Sequence, residues 1–414
     1  LPWRVEYLAQ IRGSLITAAN VGEEEQRQVR EALFGVENSV KVFKGQRRAL
    51  VEPAFFSGLV AEEQRLKDAL TADPLLRDRH GDPFADIEGI VGKQQPLWMP
   101  YQMLEVRLGA GSVLLNDARS LLRAAEERAK PTSRRLPEYA DARLAALERA
   151  LSAQTPLHPV LEQLEIEFWL SKTREYLGAD HPAVKALFGS QSAREIAVEV
   201  VSSSSLSDIG VRTRLFANPD QVATSNDPAI GLVRRIDRAA RAARKAYEAE
   251  VSDPVAAAAG RLSDLRFDVL GDSVYPDATF TLRLSYGSVS GWDDPDFGAI
   301  APTTKIAGLY ERATGAFPFD LVESWLAAKD KLDLSKQMNF VSTNDIIGGN
   351  SGSPLVDRQG RVVGLAFDGN LHSIGGAFGY DPNLNRTVSV SSQLIVEALR
   401  NVYEADNLVN ELLR

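Results

Sequence analysis

The 414-residue sequence contains no cysteine, four histidines and three methionines, and no apolar run approaches the ~18–20 residues that a membrane-spanning helix needs. The absence of cysteine excludes disulfides, thiolate nucleophiles and thiolate-rich metal sites. Acidic residues outnumber basic ones by 56 to 47, and the formal charge of −9 argues against general nucleic-acid binding. At 44% hydrophobic and 25% charged, the composition is that of a globular protein with room for two or three domains.

The sequence also lacks an initiator methionine. Its first residues are Leu1-Pro2-Trp3-Arg4, and no charged segment followed by an apolar one marks a secretory signal. We therefore expect the sequence to be an internal piece of a longer polypeptide. Neither this start nor the lack of cysteine identifies a cellular compartment.

Residues 1 to about 267 carry the periodicity of successive helices. The clearest pattern lies at 23–50, where apolar residues recur at four-then-three spacing as one stripe on a 3.6-residue period. Further helices are predicted at 58–71, 113–129, 135–153, 159–177, 192–203 and 228–250. We predict a large helical domain over 1–267.

The predicted helix 228–250 carries a basic run around its apolar stripe. The run consists of Arg234, Arg235, Arg238, Arg241, Arg244 and Lys245. Such a run could bind an anion or nucleic acid, but it is more commonly a helix face with acidic neighbours. The negative net charge favours the second interpretation.

The pattern changes near residue 268. Apolar and polar residues alternate over 279–286, which is typical of a half-buried strand. Short strands are predicted at 338–342, 354–357, 361–367 and 386–390, with a hairpin turn between the second and the third. A terminal helix over 391–413 would be capped by Ser391 or Ser392. The prediction is an α+β protein, with a β domain over 268–414.

The strongest chemical signal is Gly348-Gly349-Asn350-Ser351-Gly352-Ser353-Pro354, between two predicted strands. A hydroxyl nucleophile needs a tight turn flanked by glycine, so that the substrate carbonyl can approach the backbone. The N–H groups of Gly349 and Ser351 can then converge on the oxyanion. This pattern is typical of chymotrypsin-type peptidases, and we predict Ser351 as the nucleophile.

A serine nucleophile needs a base and a group that orients the base, but no histidine here has the expected context. His80 lies in an acidic loop, and His158 and His181 lie at helix starts. His372 follows Ser351 by 21 residues, in a Gly-rich loop. We expect all four histidines to be structural or exposed, so the triad is incomplete in this chain.

A family resemblance covers most of the chain. It is carried by 342–354, 364–370, 275–283, 174–182 and the spacing Asn38-x-x-Lys41-x-x-x-Gly45. These segments resemble the bacterial dipeptidyl-peptidase 7 and 11 family, which includes dipeptidyl aminopeptidase BII. The resemblance implies a serine exopeptidase without metal or cofactor, built as a chymotrypsin-type double barrel with an inserted helical domain.

The same resemblance explains the incomplete triad. The family carries its catalytic His and Asp in a first barrel, in motifs such as His-Thr-Gly-Asp, and no such motif occurs here. The chain would then be the inserted helical domain followed by the second, chymotrypsin-like barrel half and a terminal helix. The family also implies an oligopeptide substrate, a homodimer, and a periplasmic or cell-surface location.

The resemblance assigns the α-amine of the substrate to Asp368 and Asn38. Such a cation should be met by a carboxylate and neutral acceptors, and Asn38 lies off the apolar stripe of the helix 23–50. An ordinary surface position for Asn38 and a simple turn position for Asp368 stay open as alternatives. In a dry site, removal of Asp368 would cost about 3–5 kcal/mol of binding.

Two further residues bear on the side chain before the scissile bond. In the family, arginine at the place of Gly369 suits acidic side chains and glycine leaves room for bulky apolar ones, so we expect a hydrophobic penultimate residue. Asp345 lies six residues before Ser351, where trypsin-like enzymes place the acid that selects Lys or Arg. Because the family shares this aspartate and prefers non-basic residues, we interpret Asp345 as structural.

The main hypothesis is therefore a serine exopeptidase that releases N-terminal dipeptides from oligopeptides, with its base supplied by an upstream segment. One alternative is a peptide-binding module without turnover, which the missing His and Asp favour and the intact serine motif disfavours. The other alternative is a chymotrypsin-fold endopeptidase, which gives no reason for so large a helical domain.

Overall fold

A computed structural model describes residues 1–271, 282–316 and 319–413. The chain divides into two compact units. The helical unit comprises Trp3–Val40 and Leu66–Val274, and the sheet unit comprises Leu1–Pro2, Lys41–Arg65 and Tyr275–Arg414. The domain division predicted at residue 267 stays a prediction. Among the described residues, no helix combines the length and the apolar character needed to cross a bilayer.

Helices dominate the first 270 residues, as predicted. They are α1 (Pro2–Ala19), α2 (Glu23–Val51), α3 (Pro53–Ala72), α4 (Pro74–His80), α5 (Pro83–Tyr101), α6 (Val113–Arg128), α7 (Asp141–Leu151), α8 (Pro159–Leu177), α9 (Pro182–Phe188), α10 (Ala193–Ser203), α11 (Ile209–Ala217), α12 (Pro219–Ala223), α13 (Pro228–Tyr247) and α14 (Asp253–Leu270). Short 3₁₀ or π turns occupy Gln102–Val106, Leu108–Gly111, Thr132–Arg134, Pro137–Tyr139, Ser205–Ser207 and Glu248–Ser252.

Proline marks many of these helix starts, because its fixed φ suits the first turn and its missing N–H is not needed there. Proline begins α4, α5, α8, α9, α12 and α13. In α4 and α5, the preceding Asp73 and Asp82 accept a backbone N–H of the first turn. The predicted helix 159–177 coincides with α8. By contrast, α5 was not predicted, because Pro96 and Pro100 lie inside it.

The helical unit contains a large apolar cluster and a smaller one formed by Leu66, Leu70 and Leu265. Trp169 of α8 is fully buried in the large cluster, and its indole N–H donates to the carbonyl of Met103 at 2.7 Å. Arg123 of α6 is also buried and forms ion pairs with Glu105 and Asp237, each at 2.6 Å. The guanidinium is thus compensated on both sides, as a buried charge requires.

The basic run of α13 meets acidic partners within the same unit. Arg241 pairs with Asp237, Glu126 and Glu127. Arg244 pairs with Glu138 at 2.5 Å and with Glu248 at 2.7 Å. These pairs are the acidic neighbours that the sequence interpretation expected.

Two buried carboxyl groups of α8 differ in their partners. Glu162 accepts hydrogen bonds from the Ser112 hydroxyl and from the N–H groups of Val113 and Leu114, at the start of α6. Glu165 forms no hydrogen bond with any described residue, and burial raises its pKa to about 8. The folded state therefore holds Glu165 in its neutral form at pH 7.

Glu165 makes stability fall as the pH rises. In the unfolded chain Glu165 loses its proton near its ordinary pKa of 4.5, whereas in the folded chain it keeps the proton up to a pH of about 8. The free energy of unfolding therefore declines as the pH rises from about 4.5 to about 8. We expect Glu165→Gln to raise the thermal midpoint at pH 8 and to leave it nearly unchanged at pH 4. A gain of about 1 kcal/mol corresponds to ~2–4 °C for a unit of this size.

Thermal unfolding followed by circular dichroism at the two pH values checks this prediction. Glu167→Gln serves as the matched control, because Glu167 lies two residues after Glu165 on α8 and is only partly buried. This variant should show no such pH dependence. Equal midpoints for wild type and Glu165→Gln at pH 8 would contradict the assignment.

The described residues of the sheet unit form two antiparallel sheets. Its strands are β1 (Trp292–Asp294), β2 (Gly298–Ile300), β3 (Thr303–Lys305), β4 (Gln337–Ser342), β5 (Pro354–Val356), β6 (Val362–Gly369) and β7 (Thr387–Ser391). The first two strands pair with each other, and the other five form a sheet in the order β3-β4-β7-β6-β5. The coarse prediction of a β part after the helices is confirmed. The strands β1 to β3 were not predicted.

The predicted hairpin is present. Strands β5 and β6 pair antiparallel, with Leu355 opposite Gly364. Gly360 has a φ of +77° in the turn, and its N–H donates to the carbonyl of Asp357. A positive φ favours glycine, which explains its place in this turn.

The strand predicted over 279–286 is wrong for its described part. Residues 279–281 lie outside the described residues, as does most of the segment 275–283. Within 282–286, no residue belongs to a strand or a β-bridge. The apolar side chains of the alternation are strongly exposed: Leu282, Leu284 and Tyr286. The segment is instead tied by side chains, because Arg283 and Ser285 donate to the carbonyl of Asp345.

The remaining helices of the sheet unit are short. They are α15 (Ala307–Glu311), α16 (Glu323–Ala328), α17 (Ser392–Asn401) and α18 (Asp406–Leu412), with 3₁₀ turns at Lys329–Lys331 and His372–Ala377. Ser391 caps α17 by accepting the N–H of Gln393, as predicted. The terminal stretch is two helices rather than one, because Glu404 has a φ of +52° between them.

Candidate active site

The loop that carries Ser351 is closed by its own hydrogen bonds. The side-chain oxygen of Asn350 accepts the N–H of Ile347, and the N–H of Asn350 donates to the carbonyl of Ile347. Gly349 and Gly352 have φ values of +103° and +86°, which glycine adopts without strain. The conformation of the loop thus depends on the residue types that made the motif recognisable.

The N–H groups of Gly349 and Ser351 in this loop have no acceptor within the described part of the chain, as is also true of Gly348. The intervening N–H of Asn350 is engaged. Ser351 itself is exposed, and its hydroxyl donates to the carbonyl of Phe367 at 3.3 Å. The loop therefore presents a hydroxyl together with two donors that are free to bind an oxyanion.

Strand β6 runs beside the loop and is bulged at the same place. The N–H of Gly352 donates to the carbonyl of Ala366, and the N–H of Ala366 donates to that of Ser353. The register with β7 shifts between Ala366 and Asp368, so Phe367 is the extra residue of a bulge. A bulge redirects the side chains that follow it, here those of Asp368 and its neighbours.

Asp368 is held by two contacts within the sheet unit. One carboxylate oxygen accepts the N–H of Gly369 at 2.9 Å, and the other lies 2.9 Å from the ammonium of Lys41 in α2. The side chains of Lys41 and Asp368 are 44% and 48% exposed, so this is a solvated ion pair rather than a buried one. The estimate of 3–5 kcal/mol for a dry site therefore does not apply to Asp368, and a smaller loss is expected.

Gly369 lies in a tight place. A Cβ atom on this residue would approach the Cβ of Ser373 to 2.7 Å, so a side chain here requires Ser373 to move. Ser373 is fixed by hydrogen bonds to Asn370 and to the carbonyl of Arg386. Packing thus explains glycine at position 369 independently of any substrate.

Helix α2 approaches the turn that follows β6 closely. A Cβ atom on Gly45 would lie 2.5 Å from a methyl carbon of Ile374, and one on Gly375 would lie 2.8 Å from the Cβ of Ala49. The helix and the turn therefore touch through glycine on both sides. This contact sets where Lys41, one turn before Gly45, presents its ammonium.

Among the described residues, none of the four histidines forms a hydrogen bond with Ser351. His80 is buried and contacts Asp268 at 2.8 Å, while His181 accepts the N–H of Ala183 at the start of α9. His158 precedes α8 and makes no capping hydrogen bond. His372 contacts Asp294 at 2.9 Å, and hydrogen bonds from His372 and Trp292 hold the pKa of Asp294 far below its ordinary value.

The remaining predicted residues have ordinary surroundings. Asn38 is exposed on α2, three residues before Lys41, and it belongs to the helical unit. Its part in amine binding stays a prediction. The backbone carbonyl of Asp345 accepts hydrogen bonds that hold the segment 282–286. Among the described residues, no group of three acidic or histidine side chains is placed to bind a metal ion.

The sequence reasoning missed the role of Lys41 as partner of Asp368. The residue stood in the Asn38-x-x-Lys41 spacing, which places both side chains on one helix face. The ion pair joins residues 327 positions apart, so no local pattern could reveal it.

Substitution of Gly45 tests the contact between α2 and the turn. We expect Gly45→Ala to destabilise the protein by about 1–3 kcal/mol, because the new methyl group overlaps Ile374. Gly35→Ala is the matched control: its Cβ would meet nothing within 4 Å, and alanine in a helix interior should stabilise by about 0.5–1 kcal/mol. Denaturant unfolding of both variants measures the difference, and equal effects would contradict the close approach.

Comparison with known proteins gives consistent results. The sequence model of the family described as Peptidase S46 matches residues 1–413. Dipeptidyl-peptidase 7 of Porphyromonas gingivalis is 32% identical over 208 residues, which cover 46% of this chain and 28% of the relative. The Asp/Glu-specific dipeptidyl-peptidase of Shewanella putrefaciens is 27% identical over 377 residues, which cover 80% of this chain and 50% of the relative.

The fold is also shared with a solved structure. The crystal structure of Porphyromonas endodontalis DPP11 in complex with the dipeptide Arg-Asp matches with a TM-score of 0.75 at 20% identity. The match covers 99% of this chain and 59% of that one. The chain thus spans half or less of the two curated relatives and about three fifths of the crystallised protein.

Proposed function

The chain belongs to the Peptidase S46 family, and on this premise we propose that it carries the nucleophile and the amine subsite of a serine peptidase that releases N-terminal dipeptides. The observation that carries the proposal is the Ser351 loop, with an exposed hydroxyl beside two unengaged N–H groups. Dipeptidyl-peptidase is also the activity named for the curated relatives above.

The proposed chemistry is acyl transfer. The hydroxyl of Ser351 attacks the carbonyl after the second residue of a peptide, and the N–H groups of Gly349 and Ser351 bind the oxyanion that forms. The amine half of the peptide leaves, and water then hydrolyses the ester to release the dipeptide. The loop and the adjacent strands form the second barrel half of a chymotrypsin-like fold in this proposal.

The base lies outside these 414 residues in this proposal. No described histidine bonds to Ser351, and the aligned relatives are longer than this chain. The family's periplasmic or cell-surface location and its homodimer belong to the same proposal. A peptide-binding module is the second candidate, and the absence of a histidine at Ser351 is the observation that favours it.

The amine subsite accounts for the exopeptidase character. Asp368 follows the bulge at Phe367, whose carbonyl accepts from Ser351, so the carboxylate lies on the strand next to the nucleophile. A carboxylate at this place would bind the α-ammonium two residues before the scissile bond, with Asn38 as a neutral partner. A peptide with a blocked amine would lose this interaction.

The side-chain preference rests on Gly369 alone. The family resemblance implies that glycine rather than arginine at this position suits an apolar second residue, and we propose that preference for the penultimate position. The relatives do not support it, since one of those above is Asp/Glu-specific by name. Parallel assays with leucine and glutamate in the second position of the dipeptide test this part of the proposal.

Replacement of the nucleophile tests the reaction. In the full-length polypeptide, Ser351→Ala should lower kcat on a fluorogenic Leu-Leu substrate by about 10⁶, by analogy with the subtilisin serine. Ser353→Ala, two residues further along the same loop, is the matched control and should retain the rate. A Ser351→Ala rate near that of wild type would refute the assignment, and an inactive wild type would favour the binding module.

Replacement of the carboxylate tests the amine subsite. We expect Asp368→Asn to raise KM for the free-amine substrate about tenfold, or ~1.4 kcal/mol, with a smaller change in kcat. The N-acetylated substrate, which has no ammonium, provides the control and should bind both proteins equally poorly. Equal cleavage of the free and the acetylated forms by wild type would indicate an endopeptidase instead.

A further inference from the structure

We propose that Lys41 is a resident occupant of the amine subsite, whose ammonium pairs with Asp368 until the α-ammonium of a peptide displaces it. The inference rests on the proposed function, because it takes Asp368 as the group that receives the substrate amine. In addition, Lys41 competes with the substrate for Asp368, so its ammonium would lower the affinity of the site for free amines.

The geometry places a substrate-like group at the carboxylate. The Lys41 ammonium lies 2.9 Å from one oxygen of Asp368, and the N–H of Gly369 occupies the other oxygen at 2.9 Å. A lysine ammonium and a peptide α-ammonium are both primary cations with three donors. Lys41 thus offers Asp368 the interaction that a peptide amine would offer.

The exposure of the pair favours exchange over a permanent bond. Both side chains are nearly half exposed, and an ion pair in water contributes little to stability. The Lys41 side chain can swing into solvent on its flexible stem, where its charge is rehydrated. A buried partner would have no such alternative.

Sharing of the carboxylate by both cations is less favourable than exchange. Two ammonium groups on one oxygen would lie within a few ångströms of each other and repel. The entering amine therefore has to displace Lys41, and part of its binding free energy is spent on that step. Removal of the Lys41 charge should then strengthen the binding of free amines and leave blocked peptides unaffected.

Equilibrium binding of dipeptides to the full-length polypeptide tests this without turnover, because a dipeptide has no peptide bond after its second residue. Isothermal titration calorimetry with Leu-Leu and N-acetyl-Leu-Leu would compare wild type with Lys41→Met. We expect Lys41→Met to bind Leu-Leu two- to fivefold more tightly and N-acetyl-Leu-Leu with unchanged affinity. Lys41→Arg, which keeps the charge, should not show the gain.

Two controls separate a local effect from a general one. Lys44→Met removes the same charge one turn along α2, at an exposed residue, and should not tighten binding. In an Asp368→Asn background, Lys41→Met should also change nothing, since the pair is already broken. Circular dichroism would confirm that each variant is folded.

The outcomes distinguish this inference from the proposed function. If wild type prefers Leu-Leu over its acetylated form but Lys41→Met binds it equally or more weakly, the resident-occupant role is wrong and the amine subsite stands. If Lys44→Met increases the affinity for Leu-Leu as much as Lys41→Met does, the resident-occupant role is also wrong, and the loss of one positive charge explains the gain. If no variant prefers the free amine, the amine subsite fails, and this inference fails with it.

Discussion

The close approach of α2 to the turn after β6 is the constraint on which the candidate site depends. Gly45 and Gly375 leave no room for a Cβ atom between the helix and the turn. The helix is therefore held at a fixed distance, and Lys41 can reach the carboxylate of Asp368. A larger residue at either glycine would move the cation away from its partner.

The same turn links three features that the sequence presents separately. The bulge at Phe367 supplies the carbonyl that receives the Ser351 hydroxyl, and it redirects Asp368. Ser373 in the following 3₁₀ turn explains why position 369 is glycine. The surroundings of Ser351, Asp368 and Gly369 thus depend on one strand and the turn that ends it.

Much of the fold follows from local sequence patterns. The apolar period and the helix-starting prolines predict α2, α8 and α13 because these signals act within a few residues. The Ser351 loop was equally recognisable, since its turn needs glycine at positive φ. The strand prediction was wrong for 282–286, the described part of 279–286. Alternation of apolar and polar residues is a local pattern, whereas a strand also needs a partner, and no pairing of 282–286 occurs among the described residues.

By itself the sequence determined the helical and β parts of the chain, the likeness to a peptidase family, and Ser351 as the nucleophile to expect, because each depends on short-range chemistry. The tertiary structure alone decided which charges meet. The pairing of Lys41 with Asp368 joins positions 327 residues apart, and both side chains are nearly half exposed, so the binding estimate made for a dry site does not apply. Such distances and exposures arise from packing, which no local pattern encodes.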